Sequence, residues 1–397
     1  MNWRLKLKKR GSAITLVMLV VVLLISMGMG LLNLGLKSRT ISIRSTSDIA
    51  ARCAADAGLT KALFEMNEKL KVKPWNDSIL PSETEISLPY CDAVYSYAVT
   101  KDSDSGNYIL QATGTSAQSQ RTVSCTLQLQ GPFEAAIFTD GFINLNSSAK
   151  VDWYNYDEDD SNMKVGTNST ADGSISLANS AIINGDVAVG VGGDPDTAID
   201  LSGNATIEGQ ISALTEEVEL LPVTVPEAID SLPSGGEINN DTIISSSNKY
   251  SSIDLGNNET VLISGDVTLY ITGDITLGNS AELQIEPGAF LTLYLGGNFE
   301  GKNSSVVNNK TQDPGSLQIY GLDSCETMIF KNSTDLYGVI YAPNADIIMN
   351  NTADVYGAVV SKNFDMRNSG TFLYDASLRD SSIDDEAVHF KITNWHE

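Results

Sequence analysis

The longest pattern in the chain is an uninterrupted apolar run. Ala13 to Leu36 contains 24 residues and no charge. At ~1.5 Å rise per residue it exceeds the ~30 Å hydrocarbon core of a bilayer. It predicts a transmembrane helix and not a buried core helix. Arg4, Lys6, Lys8, Lys9 and Arg10 precede the run, which predicts a cytoplasmic N-terminus and an extracytoplasmic chain beyond it. A cleaved secretory signal has a shorter apolar core and a small-residue cleavage site. Lys37, Ser38 and Arg39 follow here instead, so the run reads as a retained anchor. Helical composition continues from Ser47 to Lys71, with no proline before Pro74. Ile49, Cys53, Ala57, Thr60 and Phe64 recur at spacings of three and four, which predicts one apolar stripe packed on the domain that follows.

The period then changes. Residues 93–100, 108–114 and 122–130 are rich in β-formers, and Val123, Cys125, Leu127 and Leu129 alternate with polar residues. Asp102 to Gly106 is a turn cluster. A small antiparallel meander on the end of the long helix is expected. From Phe133 onward short aliphatic runs interrupt a background of Asn, Ser, Thr, Gly and Asp. Asn332-Ser-Thr-Asp335-Leu-Tyr337-Gly338 and Asn351-Thr-Ala-Asp354-Val-Tyr356-Gly357 match at a shift of 19, with looser copies beginning at Asn179, Asn204, Asn279 and Asn368. Such repeats predict coils that turn at Asn or Gly and stack because none can bury its own apolar face. A parallel β-helix is the expected fold, with a β-sandwich as the alternative. Residues 214–233, acidic and marked by proline, read as an excursion across this domain.

Charge sharpens the picture. Residues 1–44 carry eight cations and no acid, so the remainder holds 25 − 8 = 17 cations against 50 acids. Such a surface repels phosphate backbones and disfavours nucleic acid as a partner. The two histidines, His389 and His396, lie near the C-terminus, which weakens triad and zinc readings. Cys53, Cys91, Cys125 and Cys325 form no close pair. Four cysteines allow three full pairings, among which the sequence does not choose; a Cys91–Cys125 disulfide within the meander is one candidate outside the cell.

The chemical candidates are few. Asp152, Asp157, Asp159 and Asp160 form an acidic cluster able to bind calcium, although the glycine and distal glutamate of an EF-hand loop are absent. A solvated acidic loop is the plainer reading. Asp335 and Asp354 occupy equivalent repeat positions, where paired carboxylates could serve glycoside hydrolysis; turn or stacking roles are more usual there. Tyr337, Tyr341 and Tyr356 form either an aromatic strip for surface glycans or packing between coils. Neither catalytic residues nor an organic cofactor are expected.

Lys9-Arg10-Gly11, the apolar run from Ser12, and Ala54-Ala55-Asp56-Ala57-Gly58-Leu59 stand in a recognisable order. Over residues 5–130 the chain resembles type IV pilin-like proteins, particularly the minor-pilin group with a PilX-type N-terminal domain. The resemblance implies leader cleavage between Gly11 and Ser12, with other pilin-like subunits and the pilus assembly machinery as partners. Leu16 stands where most pilins carry glutamate, which narrows the match toward minor subunits. The C-terminal half resembles a domain often joined to such N-termini, through Leu295-Gly-Gly-Asn-Phe299, Leu317-Gln-Ile-Tyr-Gly321, Gly338-Val-Ile-Tyr-Ala-Pro-Asn-Ala345, Tyr356-Gly-Ala-Val359 and Tyr374-Asp-Ala-Ser-Leu378.

The expected organisation is a basic leader (1–11), a long helix (12–71, membrane part 13–36), a small antiparallel unit (72–131), a repeat domain (132–378) and a charged tail (379–397). The expected fold class is a membrane-anchored α+β unit followed by an all-β domain. The expected place is the cytoplasmic membrane, crossed once.

Overall fold

The computed structural model describes residues 13–102, 106–155, 162–331, 334–350, 353–367, 369–380, 382–383 and 385–397. Two compact units emerge, one of residues 1–128 with 390–397 and one of residues 129–389.

The first unit is built on α1 (Ala13–Leu70), a single helix of 58 residues. It ends just ahead of Pro74, where the residue before proline is pushed out of the helical region. Four strands follow: β1 (Ser82–Ser87), β2 (Ala93–Lys101), β3 (Tyr108–Ser116) and β4 (Ser119–Gln130). They pair antiparallel in sequence order, as the meander pattern predicts. Their inner face presents Tyr95, Tyr97, Val99, Tyr108, Leu110, Ala112, Val123, Cys125 and Leu127.

The helix turns an unexpected face to this sheet. Ala51, Ala54, Ala55, Gly58, Leu59, Ala62, Met66 and Leu70 are buried. The stripe expected to pack instead faces outward, with Ile49 61% and Phe64 62% exposed. Size decides this, not hydrophobicity. A Cβ on Gly114 would lie 2.0 Å from the Ala51 carbonyl oxygen, so helix and strand backbones touch there. Only alanine and glycine permit that approach. The closing segment also departs from the expected charged tail. His389–His396 is a strand beside β4. Phe390 is buried between Trp75 and Tyr108, and its N–H donates to Asn67 Oδ1 at 2.7 Å.

The second unit is dominated by a 22-stranded sheet in which the strands pair parallel, with a further four-stranded parallel sheet. A sandwich requires antiparallel neighbours, and parallel pairing therefore disfavours that alternative. Short strands stack into three ladders, each carrying an aliphatic column toward the interior. In the first, Leu269, Leu293, Ile319, Ile340, Val359, Ile137, Val165, Val187 and Ile211 are successive partners. In the second the order is Ile238, Ile253, Ile275, Phe299, Met328, Ile347, Phe364, Ile143, Ile175 and Ile199. The third includes Ile244, Ile263 and Ile285 in one stretch and Val355, Phe372, Val151, Ile183 and Ile207 in another. The repeat shift of 19 is itself a pairing register, since Leu336, Tyr337 and Gly338 lie opposite Val355, Tyr356 and Gly357. Asn332, Asn351 and Asn368 fall outside the described residues. At Asn179 the left-handed turn residue is the asparagine (φ 64°), whereas at the Asn279 copy it is the following Ser280 (φ 57°).

The coil order along the stack differs from the order along the chain. The chain enters at Ile137, in the middle, and winds out to Ile211. Residues 214–233 then return along the stack to its other end, from which the chain winds back until Val359 closes against Ile137. This excursion is a fitted strap. Leu214 N–H bonds to Val189 O, Asn168 exchanges two hydrogen bonds with the Val218 backbone, and Leu221 O accepts from Tyr341 Oη at 2.8 Å.

Candidate functional site

Among the described residues one helix, α1, is long and apolar enough to cross a membrane. Its apolar half is wholly exposed, from Ile14 (75%) to Leu36 (62%). Covering this surface is the first chemical demand the molecule makes of its surroundings, because water does not solvate an apolar band of that length without a large cost. Gly11 and Ser12 lie outside the described residues.

The other sequence candidates are dispersed. Asp157, Asp159 and Asp160 lie outside the described residues. Asp152 pairs with Lys150, and its Oδ1 accepts the Trp153 N–H at 2.9 Å. Burial would raise its carboxyl, but hydrogen bonds from Lys150, Trp153 and Asn184 outweigh this and hold it below the ordinary value. No group of three or more His, Cys, Asp or Glu side chains able to hold a metal occurs among the described residues.

The candidate Cys91–Cys125 disulfide is not formed, and the register explains why. Cys91 is exposed in the turn before β2, whereas Cys125 is buried in β4. Ala93, just after Cys91, is level with Ser116 and Ser119, and Cys125 lies six residues further along β4. That is roughly 20 Å along the strands, far beyond the ~7 Å Cα limit of a disulfide. Burial pushes the Cys125 thiol up to about 11 and the Cys325 thiol up to about 12, so neither resembles an activated nucleophile.

Asp335 and Asp354 serve the stacking. Asp335 Oδ1 accepts the Asp354 N–H at 3.2 Å, and Asp354 Oδ1 accepts the Thr371 N–H at 2.9 Å. Each carboxylate thus binds the backbone of the next coil. The three tyrosines separate into two places. Tyr337 and Tyr356 stack at 4.3 Å between centroids on the outer surface, with Tyr154 edge-on to Tyr356 at 4.9 Å. Tyr341 belongs to another ladder, in register with Tyr320, Tyr294 and Tyr270. These point away from the aliphatic columns, yet Tyr294, Tyr320 and Tyr341 are each only 2% exposed. The strap carbonyl of Leu221 accounts for part of that cover at Tyr341.

One cleft was not apparent in the sequence. Asp140, Asp323, Glu326, Thr327, Pro343, Asn344, Asp346 and Lys362 line a polar space of about 530 Å³. Closure of the stack brings Asp140 to residues some 180–220 positions away in the chain. Asparagines order its rim: Asn344 Nδ2 donates to Asp323 Oδ1 at 2.9 Å and Asn363 Nδ2 to Asp346 Oδ1 at 2.7 Å. The cleft can hydrogen-bond a polyhydroxylated guest or attract a cation. Neither histidine nor cysteine lines it.

Comparison with known proteins bears on the stacked unit. A family model matches residues 204–381, and its description is a domain of unknown function (DUF7305). The match begins at the outer coil and ends after the closing coils, and it covers less than half of the chain. No curated protein matches the sequence. Among solved structures, the competence-associated pilin ComZ from Thermus thermophilus is similar at 13% identity, over 88% of this chain and 97% of that one. Its TM-score of 0.22 is too low to equate the two architectures.

Proposed function

We propose that this protein is a non-catalytic structural component of the cell envelope, a minor-pilin-like or pilus-assembly-associated subunit. It crosses the cytoplasmic membrane once through residues 13–36 and displays a parallel β-helix, residues 132–378, outside it. The observation that carries the reading is α1. One half of the helix is apolar and bare, while the other half is fitted to an antiparallel sheet through an alanine–glycine face. A rod of that kind suits a subunit held first by lipid and then by the apolar helices of other pilin-like chains. The stacking role of Asp335 and Asp354 favours a structural use of the repeats.

The test is the N-terminal residue of the protein recovered from native membranes. A start at Ser12 is expected; an intact Met1 would remove the pilin-like processing and leave a permanent anchor. A second reading, a membrane-tethered domain that binds or cleaves glycans, is favoured by the acidic cleft and by the Tyr154–Tyr337–Tyr356 surface. Binding or turnover across a polysaccharide panel, lost in Asp346→Asn, would move the assignment there.

A further inference from the structure

The two ends of the stack are finished differently. At one end the inward residues Ile238 and Ile244 are 4% and 3% exposed. At the other, the last coil comprises the strands Ile199–Leu201, Thr206–Ile207 and Ile211–Ala213. Among the described residues these pair on one side only, with residues 175–177, 182–183 and 187–189. By register Leu201 and Ile211 continue the interior columns below Leu177 and Val187, both fully buried, yet each is 45% exposed. Val191, beside the same coil, is 46% exposed. The backbone is open at Leu201, whereas the Ile199 N–H is already held by the Pro195 carbonyl. Ser202 N–H is spent inward on Leu177 O, so the alternation of a parallel ladder turns the Leu201 N–H outward. An edge of this kind is a template for another strand.

We infer that this open coil is a docking edge for an extended cationic segment of a partner protein, which adds a parallel strand along Ile199–Leu201. Charge selects the partner. Residues 165–248 hold thirteen acids and no Lys or Arg. Asp200 projects outward between the inward-facing Ile199 and Leu201, and exposed Glu208 lies nearby in the same coil. A second copy presenting the same end would set these acids against each other, and the opposite end carries exposed Glu237 and Asp241, so head-to-tail growth would also set acid against acid. The complementary strand alternates apolar residues, which continue the columns, with Lys or Arg beside Asp200.

The experiment uses the full chain in detergent and a labelled decapeptide of alternating valine and lysine. Fluorescence anisotropy should give binding at least tenfold tighter than for oligolysine of equal charge, with amide-exchange protection confined to residues 199–213. Leu201→Pro, which removes an outward N–H, should reduce affinity at least tenfold. Asp200→Lys, an exposed change that leaves the backbone intact, should reduce it about threefold or more. Equal binding of oligolysine, or binding unaffected by both variants, would overturn the strand-addition model. So would concentration-dependent self-association blocked by Leu201→Pro, which would name a second copy as the occupant.

Discussion

The helix–sheet unit and the stacked unit bury apolar surface by opposite means. In the first, contact depends on smallness: Ala51, Ala54, Ala55 and Gly58 bring α1 onto Gly114 and Ala112 until backbones touch. In the second, contact depends on bulk: each coil places Ile, Leu, Val or Phe directly over its counterpart in the next, and the columns are nearly inaccessible from Ile253 to Ile175. Added volume should therefore damage the first unit, and removed volume the second. The lesson is that hydrophobicity alone does not identify a packing face; the depth of the space to be filled does.

The largest effect should come from truncating the column. Phe299 is 2% exposed and stacks on Phe330 at 4.6 Å, so Phe299→Ala should cost about 3–5 kcal/mol in urea unfolding of the full chain. The same kind of truncation at the open end, Ile211→Ala, should cost about 1 kcal/mol or less, because half of the side chain is already in water. The converse test is Gly114→Ala. Its new methyl meets the Ala51 carbonyl, and a loss of about 3 kcal/mol is expected from so small an addition, followed by the fluorescence of Trp75 in the same unit. Equal tolerance of Gly114→Ala and of Gln111→Ala, an exposed change in the same strand, would break the comparison.

Smaller effects test the strap and the surface. Tyr341→Phe deletes one hydrogen bond to Leu221 and should cost about 1 kcal/mol, with faster amide exchange confined to the strap. The smallest effect is a pH dependence at Asp77. Hydrogen bonds from Lys101, then Tyr108, and a weaker one from Trp75 hold its carboxyl down at about 2. A depressed carboxylate stabilises the fold above its unfolded value near 4 and loses that contribution as pH falls toward 2. The side chain is 40% exposed, so screening keeps the contribution small. Asp77→Asn should flatten the acid limb of the stability profile slightly; an unchanged limb would show that the contact contributes nothing measurable.

Much of this architecture was legible in the residues. The apolar run from Ala13 to Leu36 gave the exposed half of α1, period-two alternation gave β2 to β4, and the shift of 19 gave a true parallel register. What escaped were features set by distant closure. The order of coils depends on Val359 meeting Ile137, and no local pattern encodes that meeting. The cleft around Asp140 and Asp346 exists only because of it. The closing strand looked like a tail because the charged stretch from Arg379 to Glu386 leads into it, yet Phe390 packs against Trp75 and Tyr108 while the backbone pairs beside β4 and bonds to Asn67. The Cys91–Cys125 candidate failed because strand membership was considered without register.

The most direct test of the anchored, outward-facing account uses the two exposed cysteines, Cys53 and Cys91, which lie beyond the apolar run. Spheroplasts carrying the native protein would be treated with a membrane-impermeant maleimide, before and after lysis. The account predicts that both cysteines are labelled in intact spheroplasts to the same extent as after lysis, and that the labelled protein stays with the membranes in alkaline carbonate. Labelling only after lysis, or release of the protein by carbonate, would contradict it.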